Sequence, residues 1–121
     1  MKQQKINKAF PAVLRLCEFR LPIKKARELY AMQCKMKEHF EFALAEEQKR
    51  VTEFHGTFNQ NGSVIFSNQK DFDGFQVQIN ELNESEVEWD LSQVVLTESD
   101  IGEQTISVSD ISALEGFVVF E

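Results

Sequence analysis

The chain has 121 residues, 42% of them hydrophobic, with 13 Lys and Arg against 20 Asp and Glu and a net charge of −7. That length suits one domain with its own core, and no apolar run approaches the roughly 20 residues of a membrane span. Two cysteines, Cys17 and Cys34, do not make a disulfide framework; they fit a reducing cytoplasm, with both thiols packed as small hydrophobes.

In chain order, the first expected element is a short amphipathic helix. Phe10, Val13, Leu14, Cys17 and Leu21 recur at helical spacing, with Lys8, Arg15, Glu18 and Arg20 on the wet side. Pro11, Arg15, Glu18 and Arg20 break this stretch too often for a signal-peptide core. Pro22 ends it and suits the first turn of the next helix, where a missing N–H costs nothing.

From Pro22 to His55 there is no glycine and no further proline. Ala26, Leu29, Met36, Phe40, Ala43, Leu44, Val51 and Phe54 form an apolar stripe at steps of three and four, widened by Tyr30 and Cys34. A helix of that span is roughly 50 Å long. It exceeds a small domain, so part of it must protrude, bend or pack against another chain. Gly56 is the expected C′ stop.

Residues 56–68 read as a β-hairpin turning at Asn61-Gly62, a pair suited to positive φ. Asp71 is placed to cap a second helix whose face is Phe72, Phe75, Ile79 and Leu82. From Glu84 to Leu91 the period changes. Val87, Trp89 and Leu91 alternate with Glu86, Glu88 and Asp90, which is strand spacing. Val94-Val95-Leu96, Thr105 to Val108 and Phe117 to Phe120 are further strand candidates. Ser109 or Asp110 begins a short helical turn stopped by Gly116. The predicted class is α+β: a short helix, one long helix, a hairpin, a second short helix, then a small, mostly antiparallel sheet. A single domain over residues 1–121 divides into a basic helical part (1–55), the hairpin (56–68) and an acidic α+β part (71–121).

That division is sharpest in charge. All 13 Lys and Arg lie in residues 1–70, against 7 acids, a net of +6; residues 71–121 hold 13 acids and no base, a net of −13. The split predicts a molecule polarised end to end or face to face, and head-to-tail contacts between copies. Interleaving of the two halves in space would remove that polarity.

No catalytic constellation stands out. Glycine and asparagine around the hairpin lack the P-loop pattern. Asp71-Phe72-Asp73-Gly74 lacks the other kinase motifs, and the twelfth position of an EF-hand loop would be Leu82. Cys17, Cys34, His39 and His55 are spaced unlike any compact zinc site, and both histidines read as structural. Neither a metal nor a cofactor is expected. Ten cations among residues 2–37 raise direct nucleic-acid contact, but the acidic total and the lack of a basic-aromatic motif weigh against it.

Two interaction surfaces remain. The apolar helix positions Met36, Phe40 and Leu44 are candidates for contact with a second copy or another protein, as the eleven Phe against one Tyr and one Trp suggest. Glu84, Glu86, Glu88 and Asp90 would share one strand face at intervals of roughly 6.5–7 Å. Such a row could imitate a nucleic-acid backbone and inhibit a nucleic-acid-binding enzyme, the alternative reading.

The order of features carries a resemblance. Leu21-Pro22-Ile23-Lys24 follows the short helix, the long helix closes with Glu46-Glu47-Gln48-Lys49-Arg50-Val51, and the turn is Asn61-Gly62. Glu81-Leu82, Glu86-Val87-Glu88 and a terminal Phe120-Glu121 follow. In this the chain resembles small uncharacterised proteins of tailed bacteriophages and prophages. The resemblance spans most of the chain, least over residues 100–109, and brings no catalytic motif. It implies a bacterial host cytoplasm and a role in virion assembly or host interaction.

Overall fold

Helix α1 (Gln3–Leu16) forms because Ile6, Ala9, Phe10, Val13 and Leu16 fall on one face, and all are buried. In the computed structural model, which describes all 121 residues, this face lies one turn earlier than the sequence suggested. Leu14 is exposed and Leu21 lies beyond the helix. Pro11 is tolerated inside α1 on its exposed side, at the loss of one helical hydrogen bond. Pro22 precedes α2 (Ile23–Glu53) as its N-cap, with φ −52° and ψ 143°, so the proline stands just outside the first turn.

The long helix, about 46 Å by its 31 residues, is covered within the chain along both halves. Its first half buries Leu29, Met32 and Met36 against α1, and Phe40 meets Phe10 at 4.8 Å between ring centroids. Its second half packs against α3 (Gln69–Glu84), and a hairpin, β1 (Thr57–Phe58) and β2 (Val64–Ile65), folds over its last turn. There Val51 is buried, and Phe66 packs on Phe75 at 4.8 Å and on Phe72 at 5.9 Å. Helix α3 starts beside the C-terminal end of α2, where Gly74 lies under the Phe54 ring, and returns antiparallel to reach Lys2 with Glu84.

The end of α2 differs instructively from expectation. His55, not Gly56, takes the left-handed position, at φ 59°. The His55 N–H donates to Thr52 O (3.1 Å) and the Gly56 N–H to Val51 O (2.8 Å), the paired bonds of a Schellman ending with His55 at C′. Glycine is needed one place later for room. A Cβ on Gly56 would lie 2.9 Å from Phe66 and 3.0 Å from Val51 and Val64.

The hairpin is antiparallel, with Thr57 opposite Ile65 and Phe58 opposite Val64. Five residues join its strands, so Asn61-Gly62 is not a two-residue turn. Gly62 alone has positive φ, and the Asn59 side-chain oxygen organises the loop by accepting from the N–H groups of Asn61 and Ser63, both at 2.9 Å. Asp71 does not cap α3 either. Asn68 does, accepting from the Asp71 N–H at 2.8 Å, with Asp71 in the first turn.

Two expected strands are absent. Between Glu84 and Val94 the only ladder element is one antiparallel bridge, Lys2 to Glu86, flanked by Gln3 N–H to Ser85 O and Val87 N–H to Met1 O. The alternation survives as burial alone: Val87, Trp89 and Leu91 lean on the core and Glu86, Glu88 and Asp90 face water. Thr105 to Val108 is also no strand. Ser107 caps α5 (Val108–Ala113), accepting from Asp110 N–H, where Ser109 or Asp110 was expected to do so.

The remaining sheet is parallel, against the antiparallel expectation. Strand β3 (Val94–Leu96) pairs with β4 (Val118–Phe120), Val94 opposite Val118 and Leu96 opposite Phe120. The crossover between them carries α4 (Glu98–Ile101), opened by a Thr97–Asp100 capping box, and α5, closed at Gly116 with φ 88°. Val94, Leu96, Leu114, Phe117 and Val118 complete the main core beneath α1 and α2. The architecture is α+β with five helices, one antiparallel hairpin and one parallel pair.

Candidate functional site

The antiparallel approach of α3 to α2 leaves a shallow apolar groove between them. Phe40, Ala43 and Leu44 from α2 face Ile79 and Leu82 from α3, over a volume of about 210 Å³. Asn7, Glu47 and Asn83 form its polar rim. Phe40 and Leu44 thus meet in one surface feature, and Leu44 remains 45% exposed. Met36 does not join them. It is fully buried in the core and reaches no partner. Ala43, Ile79 and Leu82 belong to the groove but were not singled out in the sequence, although Ile79 and Leu82 lay on the recognised face of α3.

The four carboxylates do not form the expected row. Glu84 is the last residue of α3 and pairs with Lys2, whose amine is pushed above its usual range first by that hydrogen bond and then by the neighbouring charge. Glu86 accepts from the Met1 α-amino group at 2.8 Å, and this hydrogen bond holds its carboxyl below the usual range. Glu88 and Asp90 are exposed in the irregular stretch and make no ion pair within 4 Å. Two of the four are therefore engaged in fastening the N-terminus, and no strand aligns them with the others.

A third link joins the basic and acidic parts. Arg15 on α1 donates twice to Asp110 on α5, from Nε at 2.9 Å and from a terminal nitrogen at 2.6 Å. The Asp110 carboxyl is held below its usual range, chiefly by the Arg15 hydrogen bonds. The two charged halves therefore interleave along α1.

Chemically reactive groups are not gathered. No three His, Cys, Asp or Glu side chains converge to hold a metal ion. Both cysteines are free, and only Cys17 is partly buried; Cys34 is exposed on α2, against the expectation that both thiols pack as small hydrophobes. Burial pushes the Cys17 thiol up, the reverse of an activated thiolate. His39 offers its backbone carbonyl to Gln3 at 3.0 Å, and His55 ends α2. No helix is long and apolar enough to cross a membrane. No protein-family model, curated protein or solved structure matches the chain.

Proposed function

We propose that this chain is a non-enzymatic, phage-like protein that works through protein–protein contacts, with a second copy or with a phage or host protein, in a bacterial host cytoplasm or in a virion. The observation that carries this reading is the α2–α3 groove. It presents Phe40, Leu44, Ile79 and Leu82 to solvent between two helices, the setting in which a partner helix lays apolar side chains at i, i+3 and i+4. Its asparagine rim offers amides to hold such a helix in register. The phage-like order of elements supplies the biological context.

Light scattering coupled to size exclusion, at low and high salt, reports self-association. Capture from a bacterial lysate with wild-type and Leu44→Asp protein reports a foreign partner. Leu44 is half out of the fold already, so Leu44→Asp should keep the circular-dichroism spectrum while releasing the partner or the oligomer. A strict monomer at both salts that also retains nothing releasable by Leu44→Asp would refute the reading.

A further inference from the structure

A second surface lies at the other end of the core, where the carboxyl ends of β3 and β4 meet the crossover helices. Leu96, Ile101, Ile106, Ile111 and Phe120 line a pocket of about 470 Å³ there. Beside it Val108 is 83% exposed and Ile111 41%, so the pocket opens into an apolar patch. Its rim carries Glu98 and Glu121, with Glu103 two residues beyond the pocket's Ile101. None of these three carboxylates has a cationic partner, and residues 71–121 contain no base to supply one.

The complement stands close by on the same chain. Ile23, the first residue of α2, is 75% exposed. Lys24 and Arg27, on the same turn, pair with no acid. The preceding loop is clamped to the pocket's side of the molecule: Gln104 accepts from the Arg20 N–H at 2.7 Å and donates to Arg20 O at 3.0 Å. Ile23 is three residues further on, within about 10 Å of chain.

We infer that two copies of this chain associate about a two-fold axis, the Ile23 of each filling the strand-end pocket of the other. The short stretch of chain between Ile23 and the Gln104 clamp favours a two-fold arrangement. A knob and its hole on one patch form an isologous, self-complementary interface that closes as a dimer; at opposite ends they would generate a filament. Charge complementarity decides the partner: Lys24 and Arg27 arrive against Glu98 and Glu121, while a neutral apolar ligand would leave both sets unanswered. Packing of the isoleucine and the patch supplies the affinity, since exposed ion pairs contribute little. The proposal rests on reading the chain as one that works through protein contacts, and it names the partner as a second copy.

Sedimentation velocity over a concentration series tests it. The wild-type protein should dimerise, more tightly at low salt. Ile23→Asp alters a side chain in solvent, so the fold survives, and the dimer should weaken at least roughly tenfold. Glu98→Lys should weaken it as well, and adding Lys24→Glu to that variant should restore association. A chain that stays monomeric, or a dimer indifferent to Ile23→Asp and Glu98→Lys, overturns the proposal. A monomer that still binds a foreign partner through Leu44 overturns the dimer and leaves the α2–α3 reading intact. A dimer released by Leu44→Asp and not by Ile23→Asp places self-association in the groove and overturns the pocket.

Discussion

Gly74 is the point at which α3 lies against the end of α2, and replacing it by alanine sets two measurable effects against each other. Inside a helix, Gly→Ala is worth about 1 kcal/mol of stability, because glycine loses more backbone freedom on folding. Here the new Cβ would lie 2.5 Å from one Phe54 ring carbon, 3.0 Å from a second and 3.2 Å from a third. Carbon contacts are optimal near 3.5–4.0 Å, so the overlap is about 1 Å. A ring is a stiff plate, and relieving such overpacking costs about 1–3 kcal/mol. Gly74→Ala should therefore destabilise the protein by about 1 kcal/mol net. In a Phe54→Ala background the obstacle is gone, and the same substitution should stabilise by up to about 1 kcal/mol. The sign reversal corresponds to a coupling of about 2 kcal/mol, well within reach of a double-mutant cycle. Urea unfolding followed by far-UV circular dichroism measures all four proteins, with equal slopes confirming a common unfolding reaction. If Gly74→Ala stabilises both backgrounds alike, the Phe54 ring does not rest on Gly74 and the docking of α3 described above is wrong.

Two further outcomes follow from the same geometry. His55→Gly should raise stability by about 1 kcal/mol, because glycine adopts the left-handed C′ position without the Cβ clash; a fall in the urea midpoint would contradict the Schellman assignment. Asp110 titrates below its usual range in the folded state, so its contribution is full above the unfolded carboxylate value and is lost as pH falls through the folded one. Stability should therefore drop below about pH 4. Asp110→Asn should be less stable than wild type at pH 7 and show a shallower acid limb in unfolding curves from pH 7 to 2; an unchanged limb would count against the Arg15 link.

The helices were legible because their periodicity extends over many residues, and the errors lie where periodicity says nothing about partners. Met36, Phe40 and Leu44 look equivalent as an i, i+4, i+8 row. At about 100° per residue such a row winds by about 80° over eight residues, carrying Met36 under α1 and Leu44 out to the α3 groove. Alternation at Val87, Trp89 and Leu91 correctly gave the buried side. It could not give a strand, because the only backbone available to pair with is that of Met1 to Gln3, which turns into α1 at once. The parallel pairing of Val94–Leu96 with Val118–Phe120 was illegible for a related reason: two short valine-rich runs pack equally well in either direction, and the crossover through α4 and α5 sets it. Caps were misplaced by two or three residues at Asn68 and Ser107, each time because an Asp inside the first turn competed as a capping residue.

The charge split takes on a different meaning once its partners are named. Lys2, the N-terminal amine and Arg15 all reach carboxylates of the acidic part, at Glu84, Glu86 and Asp110. Helix α1 and the N-terminus therefore tie the two halves together electrically inside one molecule, answering three of the thirteen carboxylates of the acidic part and so reducing the end-to-end polarity that would drive head-to-tail chains. Unpaired charges at one end include Lys24 and Arg27 on one side and Glu98, Glu103 and Glu121 on the other, with Glu18 and Arg20 beside Glu103 where the Arg20–Gln104 clamp joins them. Opposite charges that are neighbours on one surface attract each other's counterparts only after a two-fold rotation of the partner. The same composition that suggested head-to-tail contacts thus favours a closed pair, whose cross-interface charges steer the encounter and tighten it at low salt.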